Sequence, residues 1–344
     1  MAKPKLLLAG FWSHAHCEES FSRQVDNYGM EVIPFKMSKY FDGKWGKYLN
    51  AIPLPIGPML KINNDLLELI GSSNIDYIFL WNCNHILPST LKKIKRSGIR
   101  IVVYNNDDPY GKVLKNRKPW LQFFQFFWFL KTLKFTDLIF VYRPINIEEA
   151  SRLSNSSSQI KLFKPYFIPR VEDHSLVKIN SEQDVVFIGH FEDDNRYDDL
   201  DYLFSNNINL KVYGTGWLKS FSQHQEPVYP LYGDDYVDAL NNSKICLCFL
   251  SKMNRDVYTR RCFEIPGLKK LLLCERTDEM LNMFKEDEEA VYFSNKHELL
   301  NKIQWLLSNP SKIEDIAEAG YKRVLNDGHD IKSRSVEILK NLEF

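Results

Sequence analysis

The stretch NRDVYTRRCFEIPG (254–267) gathers arginines, an aspartate and a glutamate just before a strand-like run, LLLC (271–274). Arg261 suits a diphosphate, because a guanidinium can donate two parallel hydrogen bonds to one. Glu264 suits ribose hydroxyls, whose hydrogen bonds a carboxylate at a strand end accepts in dinucleotide sites. Arg260 lies four residues before Glu264, a spacing that predicts an ion pair on one helix face. The pattern favours a nucleotide site in which Arg261 and Glu264 bind the ligand and Arg260 is structural.

Two strand-like runs earlier in the same half, DVVFIGH (184–190) and NLKVYG (209–214), end in or near glycine. Gly189 lets the backbone turn tightly and approach a ligand, and the amides that follow can receive a phosphate. Arg196 lies near the start of the next helix-like segment. Taken alone, each run is typical of an ordinary turn after a strand, and neither contains G-x-G-x-x-G. Gly214 gains interest only because it follows a second strand of the same half.

An acidic run, EDDNRYDDLD (192–201), offers oxygen ligands to a divalent cation. A solvated acidic face is the preferred interpretation of this run. Carboxylates beside a phosphate site would repel the phosphate unless a metal were present.

The first half of the chain offers candidates for a general base. VVYNNDDP (102–109) places Asp107 and Asp108 at the end of a strand-like run. The alternative is a solvated turn with an aspartate at a helix cap, and the sequence does not separate the two. His14 and His16 follow the first strand-like run, and a polar loop is the preferred interpretation for both.

Length and composition bound the class of protein. The chain has 344 residues, about right for two domains. Its net charge of +1 argues against a nucleic-acid binder, which usually carries a basic excess. Its six cysteines show no C-x-x-C pair and are expected to be buried, reduced thiols of a cytoplasmic protein. We expect neither a signal peptide nor a membrane span.

Short apolar runs alternate with helix-period segments in two series, which predicts βαβ units and parallel sheets. A loop-like stretch, LSNSSSQ (153–159), separates the series. We therefore expect an α/β chain of two doubly wound, Rossmann-like domains that face a central cleft, with ligands bound outside the carboxyl ends of the strands. The predicted strands are 5–10, 31–35, 76–81, 99–105, 136–142, 184–190, 209–214, 244–250, 269–275 and 290–294.

One segment, KVLKNRKPWLQFFQFFWFLKTLKF (112–135), carries six basic residues and no acidic one. It is too short to span a bilayer, but a basic aromatic helix can lie in the membrane interface. A helix of the domain core, or a dimer face, is the preferred interpretation for most of its rings. Peripheral contact with a membrane surface stays open.

The second half resembles the CgeB-like glycosyltransferases, whose C-terminal half belongs with the group-1 glycosyltransferase domain of the GT-B fold. The resemblance covers residues 184–334, and a DDP strand end in the first half adds to it. It rests on FIG…R (187–196), VYGTGW (212–217), YVDALNNSKICL (236–247), RCFEIPG (261–267), LLLCERTDEM (271–280), HELLNKI (297–303) and IAEAGYKRVLNDGHDIKSR (316–334). The domains it implies are an acceptor side (1–165), a hinge (166–183), a donor-binding domain (184–326) and a C-terminal helix (327–344) that packs toward the first domain.

The resemblance implies transfer of a sugar from a nucleotide-sugar donor to a glycan, glycolipid or lipid-linked acceptor, as in polysaccharide biosynthesis. Glu264 fits the second position of the E-x7-E motif of retaining relatives, and Asp256 departs from the first. Arg261 would face the diphosphate with Gly189 and with Arg196 or Lys252. The resemblance implies no metal and no other cofactor, because cationic side chains and helix dipoles neutralise the leaving group.

Two other functions stay open on the same architecture. A binding or scaffold protein that kept the fold would explain Asp256 at a motif position that otherwise holds glutamate. A nucleotide-sugar epimerase or a phosphorylase is a second enzyme class, although nothing points to the pyridoxal lysine or free-phosphate site of a phosphorylase. A nucleic-acid partner is not expected.

Overall fold

A computed structural model describes residues 3–13, 15–51, 54–111, 120–169, 183–217 and 228–343. The chain forms two compact units, each built around one parallel sheet. The first unit comprises Met1–Lys164 and Ile331–Phe344, and the second comprises Pro165–Asp330. Most of the predicted hinge, 166–183, falls on residues 170–182, which lie outside the described part of the chain.

The sheet of the first unit has six parallel strands in the order β2-β1-β3-β4-β5-β6. Its central strands are buried on both faces, as expected for a sheet covered by helices on either side. The strands are β1 (Lys5–Gly10), β2 (Glu31–Lys36), β3 (Tyr77–Trp81), β4 (Arg100–Asn105), β5 (Leu138–Val141) and β6 (Gln159–Leu162).

Helices connect these strands, and the last helix of the chain packs against α1 in the same unit. A π-helical segment, Ala15–Glu19, leads into α1, and short 3-10 turns cover Ser38–Tyr40 and Leu133–Phe135. The helices are α1 (Ser20–Asn27), α2 (Gly46–Ala51), α3 (Pro58–Ser72), α4 (Pro88–Arg96), α5 (Trp120–Thr132), α6 (Ile145–Leu153) and, at the end of the chain, α13 (Ile331–Asn341).

The second unit has a five-stranded parallel sheet in the order β11-β10-β9-β7-β8. Its strands are β7 (Gln183–Ile188), β8 (Leu210–Tyr213), β9 (Ser243–Cys248), β10 (Leu271–Glu275) and β11 (Val291–Phe293). Its helices are α7 (Arg196–Ser205), α8 (Gly233–Asn241), α9 (Arg261–Gly267), α10 (Asp278–Met283), α11 (Lys296–Ser308) and α12 (Pro310–Asn326).

The register of the second sheet brings the carboxyl ends of four strands to one edge. Ile188 pairs with Tyr213 at the ends of β7 and β8, and Cys248 pairs with Cys274 at the ends of β9 and β10. The loops that follow these strands therefore leave the sheet side by side. In doubly wound sheets this edge is where ligands bind.

All ten strands expected from apolar runs are present, within a few residues of their predicted bounds. The expected loop at 153–159 is wrong at its end, because Gln159 begins β6. This strand has four residues and lies at the sheet edge, where its side chains alternate between exposed and half-buried. A short, polar edge strand lacks the apolar run by which the others were found.

Candidate functional site

Glu264 is held in place through both of its carboxylate oxygens. It lies on α9, where Arg260 Nε approaches its Oε1 to 2.6 Å, and the hydroxyl of Tyr236 on α8 donates to its Oε2 at 3.1 Å. The predicted ion pair four residues apart is confirmed. Burial and the neighbouring Glu264 carboxylate raise the pKa of Tyr236 well above its usual value, so its hydroxyl stays a donor. The carboxylate is therefore oriented before any ligand arrives.

Arg261, the next residue, is placed differently. Its side chain lies beside the Cys248 thiol at the end of β9, with Tyr236 and Glu264 nearby. Burial opposes its charge, but interactions with Cys248, Tyr236 and Glu264 raise its pKa, so the guanidinium stays charged. Within the described residues it forms no ion pair, and its buried Nε has no hydrogen-bond partner. A charged, partly exposed guanidinium that forms no ion pair with the carboxylates of the described residues is suited to receive an external anion.

The two glycine turns of the second unit touch each other. The Gly189 amide donates to the Tyr213 carbonyl at 2.8 Å, and the Gly189 carbonyl accepts from Trp217 Nε1 at 3.0 Å. A Cβ on Gly214, whose φ is +148°, would lie 1.9 Å from the Gly189 carbonyl oxygen. Gly214 is thus required for backbone packing between β7 and β8. Gly189 lies at the strand-end edge, as expected.

Arg196 at the start of α7 is buried and held by internal acceptors. Its guanidinium donates to both Asp194 oxygens at 2.9 and 2.8 Å, to the His190 carbonyl at 2.8 Å and to the Leu250 carbonyl at 3.3 Å. Glu192 lies 3.4 Å from it as a second carboxylate partner. These contacts join the loop after β7 to the loop after β9, and they favour a structural role for Arg196 over phosphate binding.

The expected solvated acidic face at 192–201 is only partly correct. Glu192 is buried, and its carboxylate accepts from the Lys252 amide at 3.1 Å and lies 3.0 Å from His190 Nε2. Burial alone would raise its pKa, but the His190 hydrogen bond and the charge of Arg196 lower it to about 2. Among the described residues, the carboxylates of this run do not converge into a group of three metal ligands.

Lys252 remains accessible at the same edge. Its ammonium lies 2.8 Å from Glu275 Oε1, and its side chain is 57% exposed. The other Glu275 oxygen accepts from the Leu250 amide at 2.5 Å. Lys252 can therefore swing from Glu275 to an incoming anion at little cost, because exposed ion pairs contribute little.

Asp256 lies in the loop between β9 and α9, eight positions before Glu264. Its amide donates to the Ser251 carbonyl at 2.8 Å, and the preceding Arg255 has a φ of +51°. A non-glycine residue in this region is uncommon and often marks a constrained functional loop. The half-buried Asp256 is thus held near the strand ends, but its identity still departs from the glutamate of the motif.

In the first unit the two adjacent aspartates differ. Asp108 is buried, and its Oδ1 accepts from Asn146 Nδ2 at 3.1 Å and from the Tyr110 amide at 3.2 Å. Asp107 is partly exposed, and its amide donates to Asn105 Oδ1 at 3.0 Å. These contacts favour a structural role for Asp108. His14 lies outside the described residues.

Sequence reasoning missed two groups at the strand ends of the second unit. Tyr236, which orients Glu264, lies in a stretch that carries the family resemblance, yet a tyrosine at this position does not by itself indicate a role in the site.

The second group is a set of buried thiols, Cys248, Cys262 and Cys274, from β9, α9 and β10. Hydrogen bonds from the other two thiols and from Arg261 lower the pKa of Cys248 well below its usual value. Burial raises the pKa of the other two well above theirs.

The aromatic segment is a helix over its second part, α5, and residues 112–119 lie outside the described chain. Phe126 and Phe129 are buried, whereas Phe124 is 50% and Phe127 is 37% exposed. The prediction that this segment is a helix of the domain core is therefore correct for one face of α5 and wrong for the other. Among the described helices, none has both the length and the apolar character needed to cross a bilayer.

Comparison with known proteins relates the second unit to a family of enzymes. Residues 198–340 match the family model described as glycosyl transferase-like, and the matched range includes Arg261 and Glu264. No curated protein matches the sequence.

Solved structures resemble the chain over nearly its whole length. They include a glycosyltransferase from Rickettsia africae (TM-score 0.66, 11% identity, 99% of this chain and 98% of that one). Another is Anabaena HepE in complex with UDP-glucose (TM-score 0.63, 12% identity, 98% and 99%). A UDP-N-acetylglucosamine 2-epimerase also resembles it (TM-score 0.58, 13% identity, 99% and 96%).

The chain thus has the two-domain α/β fold of the GT-B type, with a glycosyl transferase-like domain in its second half. The domain match and the fold together support a glycosyltransferase. The narrower resemblance to CgeB-like proteins stays a prediction.

Proposed function

We propose that this protein transfers a sugar from a nucleoside diphosphate donor to an acceptor hydroxyl, with its donor site at the strand ends of the second unit. One observation carries the proposal. The Glu264 carboxylate is fixed by Arg260 and Tyr236, while the adjacent Arg261 is charged and forms no ion pair among the described residues. A carboxylate for ribose hydroxyls beside a guanidinium for phosphate is what a nucleoside diphosphate requires.

A uridine base is the first candidate, because HepE of similar fold was solved with UDP-glucose. Donor cleavage breaks the bond between the anomeric carbon and the phosphate oxygen, and the electron pair leaves with the diphosphate. Arg261, supported by Lys252, stabilises the charge that develops on that oxygen. These groups supply positive charge without a metal, which supports a metal-independent reaction. The fit of Glu264 to the second position of the E-x7-E motif favours retention of anomeric configuration, although Asp256 stands where the motif has its first glutamate.

The acceptor hydroxyl must lose a proton as it attacks the anomeric carbon. Of the two aspartates, Asp107 is the better general base, because the Asp108 carboxylate is buried and already accepts two hydrogen bonds. A glycan, a glycolipid or a lipid-linked sugar fits this role as acceptor, in a cytoplasmic reaction of polysaccharide biosynthesis.

The test is a thermal-shift screen of the purified protein with UDP, GDP, CDP, dTDP and inorganic phosphate. A ligand that binds only the native state raises the melting temperature by mass action. We expect one nucleoside diphosphate to raise it, with phosphate alone having no effect at the same concentration. Equal shifts with every nucleotide and with phosphate would indicate a general anion site and contradict the proposal.

A scaffold protein that kept the fold is the rival function, and Asp256 is the observation that favours it. Both functions predict donor binding, but only a glycosyltransferase breaks the donor down. Slow release of nucleoside diphosphate from the donor, abolished in Asp256→Asn, would support the enzyme. An epimerase would convert the donor sugar without releasing the nucleotide.

We also propose that the exposed aromatic surface of the first unit, formed by Trp45, Tyr48, Phe124 and Phe127, contacts an anionic membrane. α2 packs against α5, and Trp45 and Tyr48 are 65% and 64% exposed. Lys131 lies 5.6 Å from the ring of Phe127, so a cation accompanies the rings. Aromatic rings flanked by cations suit the interface of an anionic bilayer.

Vesicle co-sedimentation tests this surface. Phe124→Glu with Phe127→Glu is expected to lower the fraction bound to anionic vesicles several-fold, because each change removes apolar contact and adds like charge. Tyr232→Glu, at an exposed ring of the second unit, is the matched control and should bind as the wild type does. Undiminished binding by the double variant would exclude this surface.

A further inference from the structure

Three cysteine thiols meet under the candidate donor site. Cys248 Sγ lies 3.9 Å from Cys262 Sγ, which lies 3.7 Å from Cys274 Sγ, and all three sulfurs lie within 4.8 Å of one another. The residues come from three elements, the end of β9, the first turn of α9 and the end of β10. All three side chains are fully buried. The spacing is that of ligands around one ion, since a Zn–S bond of about 2.3 Å with tetrahedral angles separates the sulfurs by about 3.8 Å.

We propose that Cys248, Cys262 and Cys274 form a binding site for a thiophilic divalent metal ion, with Zn²⁺ as the first candidate. Thiolates are the ligands that zinc takes in structural sites. Binding forms three Zn–S bonds, gives a tris-thiolate complex of charge −1 and releases the protons that the thiols still carry. The loss of these protons makes the affinity rise with pH.

The negative charge of such a complex would be balanced by the positive charge of the neighbouring Arg261 side chain. A buried ion is costly unless an opposite charge lies beside it. The Arg261 guanidinium lies beside Cys248. Because a guanidinium stays protonated in proteins, the tris-thiolate complex and Arg261 together would be neutral. The Thr259 amide donates to Cys262 Sγ at 3.4 Å and further supports a thiolate there. Oriented donors of this kind around the ligands tune metal sites.

The site would be structural and not catalytic. A metal held by these sulfurs would join α9, which carries Arg261 and Glu264, to the ends of β9 and β10. It would lie below the donor groups and make no contact with the transferred sugar. The metal site shares Arg261 with the proposed diphosphate site, but it is inferred from the positions of the three sulfurs, so it stands whether or not the protein is a glycosyltransferase.

The test is a metal titration of the reduced, metal-free protein with Zn²⁺ against a chromophoric chelator. Metal content is then measured after gel filtration. We expect about one tightly bound Zn²⁺ per chain, in line with a single tris-thiolate site. Co²⁺ in place of Zn²⁺ should give an intense sulfur-to-cobalt charge-transfer band, which reports thiolate ligation directly and needs no enzymatic activity.

Variants locate the ion. Cys262→Ser and Cys274→Ser are each expected to lower the Zn²⁺ affinity by about 100-fold or more and to abolish the cobalt band, because each removes a thiolate ligand. Cys246→Ser is the matched control, because Cys246 is a buried cysteine two residues from Cys248 on the same strand but outside the cluster. It should bind Zn²⁺ as the wild type does. Wild-type protein that is folded and reduced but binds no Zn²⁺ and shows no cobalt band would overturn the proposal and leave three packed thiols. Equal loss of binding in Cys246→Ser would overturn it as well.

Discussion

Glu264→Ala is expected to weaken binding of the nucleoside diphosphate by about 10- to 100-fold. The carboxylate would accept hydrogen bonds from ribose hydroxyls, and a hydrogen bond to a charged group is worth about 1.5–3 kcal/mol. Glu264→Gln should fall between the wild type and alanine, because an amide oxygen can still accept one of these bonds. Isothermal calorimetry with the nucleotide chosen by the thermal-shift screen measures both.

Two further variants separate ligand contact from folding. Tyr236→Phe removes the hydroxyl that holds Glu264 Oε2 at 3.1 Å, and it should weaken binding less than Glu264→Ala does. Glu318→Gln removes a carboxylate of α12 paired with Lys269 and Lys322, and it should leave the affinity unchanged. Wild-type affinity in a folded Glu264→Ala protein would remove this residue from the donor site.

The fold could be predicted because its determinants are local. Each strand predicted from sequence is a short apolar run, since a parallel strand covered on both faces must be apolar almost throughout. β6 was missed for the same reason, because an edge strand of four residues with alternating exposure has no such run. The ion pair of Arg260 and Glu264 was also predictable, because a spacing of four residues fixes proximity on a helix.

Contacts between distant residues were not predictable in this way. The acidic run at 192–201 predicts side chains exposed to solvent, yet Glu192 is buried. Its carboxylate accepts hydrogen bonds from backbone amides some 60 residues away, in the loop after β9. Arg196 or Lys252 was expected to help bind the phosphate, and the structure shows that Arg196 is buried, with its guanidinium donating to the Asp194 carboxylate and the Leu250 carbonyl. The three thiols are 14 and 12 residues apart along the chain, a spacing without a motif. The register of β9 with β10 pairs Cys248 with Cys274, and the packing of α9 adds Cys262.

Arg261 is therefore the arginine whose substitution tests the chemistry. Arg261→Ala is expected to lower kcat for donor cleavage by about 100- to 1,000-fold, the effect of removing one preorganised group that stabilises developing negative charge. Arg261→Lys should recover only part of this loss, because an ammonium cannot form the two parallel hydrogen bonds of a guanidinium. Nucleoside diphosphate released from the donor is the measured product.

The control variant replaces an arginine of the same unit that forms an ion pair on the surface of a helix. Arg323 on α12 pairs with Asp327 at 2.9 Å, and Arg323→Ala should leave kcat unchanged. Arg261 also lies beside Cys248, so its loss can disturb the thiols beneath the site. Zn²⁺ binding and the melting temperature of Arg261→Ala and Arg261→Lys should therefore be measured with the rates. A lysine variant that keeps its fold and its full kcat would show that the guanidinium does not stabilise the leaving diphosphate.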